Sequence, residues 1–326
     1  MKTLMNKKIQ MLSVGIKGAC VLLVAGGFLL FSCGSGIPEI KIPEWNYEEG
    51  GDKGDPAENP DAYAEDAAVI QEADWTTETI ADGLVWKSCL FQKLYQGAQA
   101  VNILEVDASK CKFGIAAKDD GKTLRTTSYL AEQAGALAAV NGSFFSMNDG
   151  GSICYYRIGG ETKATTADSE FQLRVNGALH IADDGTLSIM EWDRYKEQQY
   201  TGTEGTVLSS GPLVMMEGEY YSLDACEGWV VDDLYPQTAV CTTADGKVLL
   251  ITVDGRNPGS ATGMTKYEFS HLAKTLGAVN SITLDGGGST TMWIKDKGVV
   301  NYPCDNEKFD HEGERNVANA VYVTPK

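Results

Sequence analysis

Two apolar runs that each stop at an Asp-Gly pair constrain this chain more than any other feature. Val248-Leu249-Leu250-Ile251-Thr252-Val253 is continuous and rich in β-branched residues, the pattern of a strand covered on both faces. It stops at Asp254-Gly255-Arg256. The second run, Ser281-Ile282-Thr283-Leu284, stops at Asp285-Gly286-Gly287-Gly288-Ser289. Between them Thr265 and Glu268 have capping-box spacing, and Phe269, Leu272, Ala273 and Leu276 give the following helix one apolar face that ends at Gly277. This order predicts a βαβ unit with parallel strands and a right-handed crossover. Asp254 and Asp285 then emerge at one sheet edge, roughly 5–10 Å apart according to whether another strand intervenes. That edge is where open α/β sheets bind ligands. Two carboxylates there suit glycosidic bond cleavage, while Asp-Gly after a strand is also an ordinary turn signal.

The rest of the chain reads as an α+β domain of mixed β-sheets with flanking helices. Val101, Ile103 and Glu105 alternate with Asn102, Leu104 and Val106 along a strand. Leu130, Ala134 and Leu137 recur at helical spacing and predict a helix over 128–138. Asn176-Gly177 and Asp184-Gly185 mark hairpins within 171–192. No repeat of solenoid length is present.

The N-terminus sets an expected compartment. Lys2, Lys7, Lys8 and Lys17 precede an apolar run from Ala19 to Phe31, and no acid occurs before Glu39. This is the layout of a secretory signal over residues 1–32, shorter than the roughly 20 apolar residues of a spanning helix. Its end, Leu30-Phe31-Ser32-Cys33-Gly34, resembles a bacterial lipoprotein box, which implies acylation of Cys33 and attachment to the cell envelope by lipid alone, at the periplasmic or outer-membrane surface. Residues 33–75 hold twelve acids against Lys41 and Lys53 and show no clear period, so they read as an acidic flexible tether before a catalytic domain over 76–326. A net charge of −18 argues against nucleic acid as a partner. Past Cys33, six cysteines remain, none at metal-knuckle spacing, and their pairing is open.

Gly286, Gly287 and Gly288 with Ser289 and Thr290 make a loop rich in N–H and hydroxyl donors, the kind of concavity that suits phosphate. It lacks the Gly-Lys-Ser/Thr ending of a Walker loop, and a hairpin pattern rather than a helix follows it. Ala139-Val140-Asn141-Gly142-Ser143-Phe144-Phe145, Gly211-Pro212-Leu213-Val214, Val253-Asp254-Gly255-Arg256, Leu284-Asp285 through Met292, and Glu314-Arg315-Asn316-Val317-Ala318-Asn319-Ala320 occur in that order. Together they resemble the phosphodiester glycosidase domain across most of 95–325. The resemblance implies removal of a sugar, N-acetylglucosamine, from a phosphodiester-linked phosphoglycan or glycoconjugate by splitting the sugar C1–O bond.

On that reading Asp285 and Asp254 are the acid/base pair and Glu314 the alternate carboxylate. Arg256 and Arg315 bind phosphate, with Arg174 as a third cation, and residues 286–290 cradle the anion. Asn141, Asn316 and Asn319 either bind sugar hydroxyls or tie loops together. One departure stands out: Tyr235-Pro236-Gln237-Thr238-Ala239 resembles a family element that carries arginine where this chain has Gln237. It favours an alternative, a non-catalytic glycan-binding surface lipoprotein. A second alternative is a phosphodiesterase cutting P–O with a metal. The sequence requires no cofactor, although Asp254, Asp285 and Glu314 supply oxygens suited to a cation such as Ca²⁺ or Mg²⁺.

Overall fold

Alternation of buried side chains along the longest strands explains how the molecule is layered. The computed structural model describes residues 53–326. The expected signal segment, Cys33 and the first part of the tether lie outside the described residues. Strand Gly97–Asp107 sends Val101 and Ile103 to one core and Leu104 and Val106 to another. Strand Lys247–Val253 does the same, with Leu249, Ile251 and Val253 on one side and Val248 and Leu250 on the other. Each such aliphatic side chain taken fully out of water stabilises the fold by roughly 1.5–3 kcal/mol.

These strands belong to an eight-stranded sheet whose order is Thr76–Ala81, Leu84–Leu94, Gly97–Asp107, Lys247–Val253, Gln237–Thr243, Ala278–Thr283, Leu213–Met216 and Glu219–Tyr220. Every neighbouring pair in it is antiparallel. One face packs on two five-stranded sheets through Phe113, Val140, Met292 and Val321 of one and Leu179, Ile181 and Leu208 of the other. The opposite face is covered by helices Ala64–Gln71 and Lys266–Thr275.

The strand–helix–strand segment has a particular form here. Lys247–Val253 and Ala278–Thr283 are each antiparallel to Gln237–Thr243, which lies between them. They therefore run in the same direction without being hydrogen-bonded neighbours. Both carboxyl ends, and the amino end of Gln237–Thr243, meet at one sheet edge. The connecting helix has the expected capping box, with Thr265 Oγ1 accepting from Glu268 N at 3.1 Å and Glu268 Oε2 accepting from Thr265 N at 3.0 Å.

Two local expectations are corrected. The helix expected over 128–138 is Thr127–Gln133, because Gly135 takes a left-handed φ of 64° and frees Ala138–Asn141 to be a strand. Within 171–192, Gly177–Ile181 and Leu187–Glu191 form a hairpin around Gly185. Asn176-Gly177 is not a turn there, since Gly177 opens the strand after helix Asp168–Leu173.

The latter part of the presumed tether is folded. Pro60–Tyr63 is a 3-10 turn leading into helix Ala64–Gln71, and Tyr63 and Ile70 are buried in the core against Phe269 and Leu272. Tyr63 stacks on His271 with ring centroids 4.7 Å apart. Lys53 pairs with the mostly buried Asp66 at 2.5 Å. An Ala-rich, acid-rich helix with one strong anchor on its flank leaves too weak a hydrophobic stripe to be read as amphipathic.

Candidate active site

The edge where the two Asp-Gly ends meet carries a cavity of about 220 Å³. Asp285 forms part of its floor, immediately beyond strand Ala278–Thr283. Its main chain is held firmly: Asp285 N donates to Gly142 O at 3.0 Å, and Asn141 Nδ2 donates to Asp285 O at 2.6 Å. Asn141 Oδ1 also accepts from Thr238 Oγ1 at 2.7 Å and from Thr291 N at 3.1 Å. One buried asparagine thus ties three segments beneath the acid. Burial raises the Asp285 pKa above the usual carboxylate value, and Ser289, Arg174 and Arg315 oppose that rise.

Three guanidiniums line the same cavity. Arg174 ends helix Asp168–Leu173, pairs with Glu170 at 2.8 Å and lies over the Phe144 ring at 3.6 Å from its centroid. Arg256 is exposed, has a left-handed φ of 58°, and sits 5.4 Å from the Tyr235 ring centroid. Arg315 pairs with Asp305 through Nε at 3.1 Å and also through Nη2.

The glycines give the arginines room. A Cβ on Gly288 would lie 2.3 Å from Arg315 Nη2, and one on Gly287 would lie 3.0 Å from Arg256 Nη2. The backbone N–H groups of Gly287, Ser289 and Thr290 donate to Pro236 O, Gly286 O and Gly287 O, so these three are occupied within and beside the loop. The positive character of the site therefore comes from side chains seated on the loop more than from its amides.

The other expected site residues are dispersed. Asp254 is 1% exposed and does not line the cavity. Its Oδ1 accepts from Asn301 Nδ2 at 2.7 Å and from Tyr302 N at 3.0 Å, while Oδ2 has no partner. Glu314 accepts from Ser128 N at 3.1 Å and from the Ser128 hydroxyl, and so caps helix Thr127–Gln133. Asp254, Asp285 and Glu314 thus occupy separate surroundings. Among the described residues no three His, Cys, Asp or Glu side chains converge as a metal site. Asn319 Oδ1 accepts from Ser143 N at 2.8 Å and ties loops, as Asn141 does. Asn316 is exposed in a short strand paired with Arg125–Thr126. The six described cysteines are unpaired.

Burial raises the Asp254 pKa to about 7, with the Asn301 and Tyr302 donors opposing. A carboxyl whose folded pKa exceeds its unfolded value favours folding most at low pH, and that contribution is lost as pH rises from about 4 through 7. Asp254→Asn should therefore gain stability relative to the unmodified protein between pH 4 and pH 8 by on the order of a few kcal/mol. Urea midpoints at the two pH values measure it, and an unchanged difference would contradict the assignment.

Two cavity residues, Lys266 and Trp229, had no signal in the sequence, whereas Gln237 stood out there as a departure from an expected arginine. Lys266 is the first residue of its helix, Gln237 opens the central strand, and Trp229 sits on helix Gly228–Asp232 at the rim, 45% exposed. A lysine after a capping threonine and a tryptophan in an acidic loop are ordinary in sequence. Only the fold brings them together.

Fold and cavity define an α+β protein with an arginine-lined pocket at a sheet edge. The chain belongs to the phosphodiester glycosidase family, whose sequence profile matches residues 134–324. It is similar to the N-acetylglucosamine-1-phosphodiester alpha-N-acetylglucosaminidases of Bos taurus, 23% identical over 57% of this chain and 36% of that protein, and of Homo sapiens, 24% identical over 56% and 36%. It is 35% identical over 89 residues to the SPbeta prophage-derived uncharacterized protein YomE of Bacillus subtilis, which is 22% of this chain and 14% of that one. The matched region spans about a third or less of these relatives. In fold it resembles the zebrafish N-acetylglucosamine-1-phosphodiester alpha-N-acetylglucosaminidase catalytic domain, with a TM-score of 0.58 at 17% identity over 78% of this chain and 88% of that one. It also resembles a hypothetical protein from Synechocystis, with a TM-score of 0.57 at 12% identity over 77% and 64%.

Proposed function

We propose that this protein is a hydrolase that releases N-acetylglucosamine from a phosphodiester-linked glycoconjugate by breaking the sugar C1–O bond. The observation that carries the reading is one carboxylate, Asp285, in a cavity lined by three arginines, in a protein of net charge −18. Family membership and the named activity of the animal relatives support it. The guanidiniums hold the phosphate oxygens and take up the charge that grows as the bond breaks. Asp285 accepts a proton from water as that water attacks C1, and the bonding pair leaves with the phosphate oxygen. A phosphate monoester, with its second pKa near 6, departs without a strong acid behind it. A single carboxylate is then sufficient, and one displacement inverts the anomeric centre. The dispersed positions of Asp254, Asp285 and Glu314 weigh against metal-assisted P–O cleavage.

Incubation with an N-acetylglucosamine phosphodiester tests the reading by nuclear magnetic resonance. Free sugar of inverted configuration and an intact phosphomonoester are expected. Free phosphate esters without sugar release would indicate P–O cleavage, and binding without turnover would indicate a glycan-binding protein.

Trp229 offers the sugar an apolar face beside Arg174, whose guanidinium carbon lies 5.7 Å from the Trp229 ring centroid. Trp229→Ala should raise KM about tenfold, the equivalent of ~1.4 kcal/mol of ground-state binding, with little change in kcat. Steady-state kinetics decides it, and an unaltered KM would remove Trp229 from the sugar site. We further propose that the enzyme is held at the cell envelope by a lipid on Cys33. Cys33→Ala should then abolish incorporation of labelled palmitate.

A further inference from the structure

Lys266 sits where three local effects oppose a lysine. It is 7% exposed, and burial disfavours an ammonium ion. It is the first residue of helix Lys266–Thr275, the end that carries positive partial charge. Arg174, a second cation, faces it. Its ammonium donates to the neutral Gln237 Oε1 at 2.5 Å rather than to a carboxylate. Gln237 is 1% exposed and fixed in turn, since its Nε2 donates to Met264 O at 2.7 Å. Both side chains line the cavity with Asp285 and Arg174.

A lysine that only filled space here would be better replaced by an apolar residue of like volume. Residues that break local rules without compensation inside a protein mark functional positions. No carboxylate hydrogen-bonds its ammonium, and Asp285 in the same cavity is shared with Arg174 and Arg315, so the cavity is where a ligand would bring a further countercharge. Resting on the phosphodiester reading of the pocket, we propose that Lys266, aimed by Gln237, recognises the oxyanion of the ligand from the floor of the cavity while the arginines grip it from the rim.

The groups facing Lys266 give the proposal a pH signature. Burial, then Arg174, lower its pKa to about 7, against Cys226 and Asp285, which raise it. As pH rises past that value the free protein should hold a growing share of Lys266 in its neutral form. A bound phosphate supplies the opposite charge, and Lys266 takes up a proton as the anion enters.

Calorimetric titration of the full chain with inorganic phosphate at pH 8, in two buffers of different ionisation enthalpy, reads that proton directly. Net proton uptake is expected in the unmodified protein. In Lys266→Met the uptake should vanish and affinity fall about 10- to 100-fold. Lys266→Arg, charged at every pH, should keep most of the affinity without the uptake. Equal binding by Lys266→Met, absence of phosphate binding, or binding without proton uptake in the unmodified protein each overturns the proposal. The last two need no variant, so they decide even if Lys266→Met fails to fold. Sugar release that persists alongside Lys266-independent phosphate binding would overturn this inference alone. Lys266-dependent phosphate binding without sugar release would overturn the glycosidase reading alone.

Discussion

Asp285→Asn should lower kcat/KM for sugar release by about 10³-fold, within the range by which a positioned base accelerates a reaction. The substitution keeps the size of the side chain and leaves the main-chain bonds of Asp285 to Gly142 and Asn141 in place. Affinity for inorganic phosphate should hold or improve, because the variant removes a negative charge from beside Arg174 and Arg315. A loss confined to kcat identifies the base, whereas a loss shared with phosphate affinity would mean the pocket had collapsed. On the proposed mechanism, the raised pKa of Asp285 should set the acid limb in the unmodified protein. The ionised form is the active one, so the rate climbs as pH rises through that value and is lost below it. The limb should therefore lie above the ordinary aspartate range near 3.9. Retention of most activity in Asp285→Asn would remove this residue from the chemistry.

Asn141→Ala should carry the largest structural effect, a loss of about 2–4 kcal/mol in unfolding free energy. Asn141 is fully buried and joins the Asp285 carbonyl, the Thr238 hydroxyl and the Thr291 N–H. Truncation leaves each of those groups without this partner in a dry interior. Denaturant unfolding measures the loss, and kcat should fall with it because the acid is no longer held in place. Stability within about 0.5 kcal/mol of the unmodified protein, the range of an ordinary surface change, would show that water replaces the side chain easily.

What could be read from the sequence followed from strong periodicity. The covered strand Lys247–Val253, the capped helix Lys266–Thr275 and the hairpin after the glycine loop all announce themselves by pattern and punctuation. The sheet order does not, because Gln237–Thr243 enters between two strands that are closer to each other in logic than in space. For the same reason the eye falls on two matching Asp-Gly ends, while the fold seals Asp254 under Asn301 and Tyr302 and leaves Asp285 in the cavity. Arg174, Arg256 and Arg315 were visible as scarce cations in an acidic chain. Lys266 was not, because its position at a helix start looks like ordinary surface until burial is known. Gln237, noticed as a departure, finds its physical setting only beside that lysine.

The turn and helix over 60–71 change where this protein begins as a mechanical object. Tyr63 rests on His271 and Ile70 shares the core of Phe269 and Leu272, so the segment bears on the same helix whose first residue is Lys266. A shortened chain starting at residue 76 would strip that brace and uncover His271 and its neighbours. The helix carrying the pocket lysine would then keep only its packing on the sheet and on helix Gly228–Asp232. The boundary of the folded unit lies before Tyr63, and a load on the leading chain would be felt first at the back of the helix that reaches the cavity.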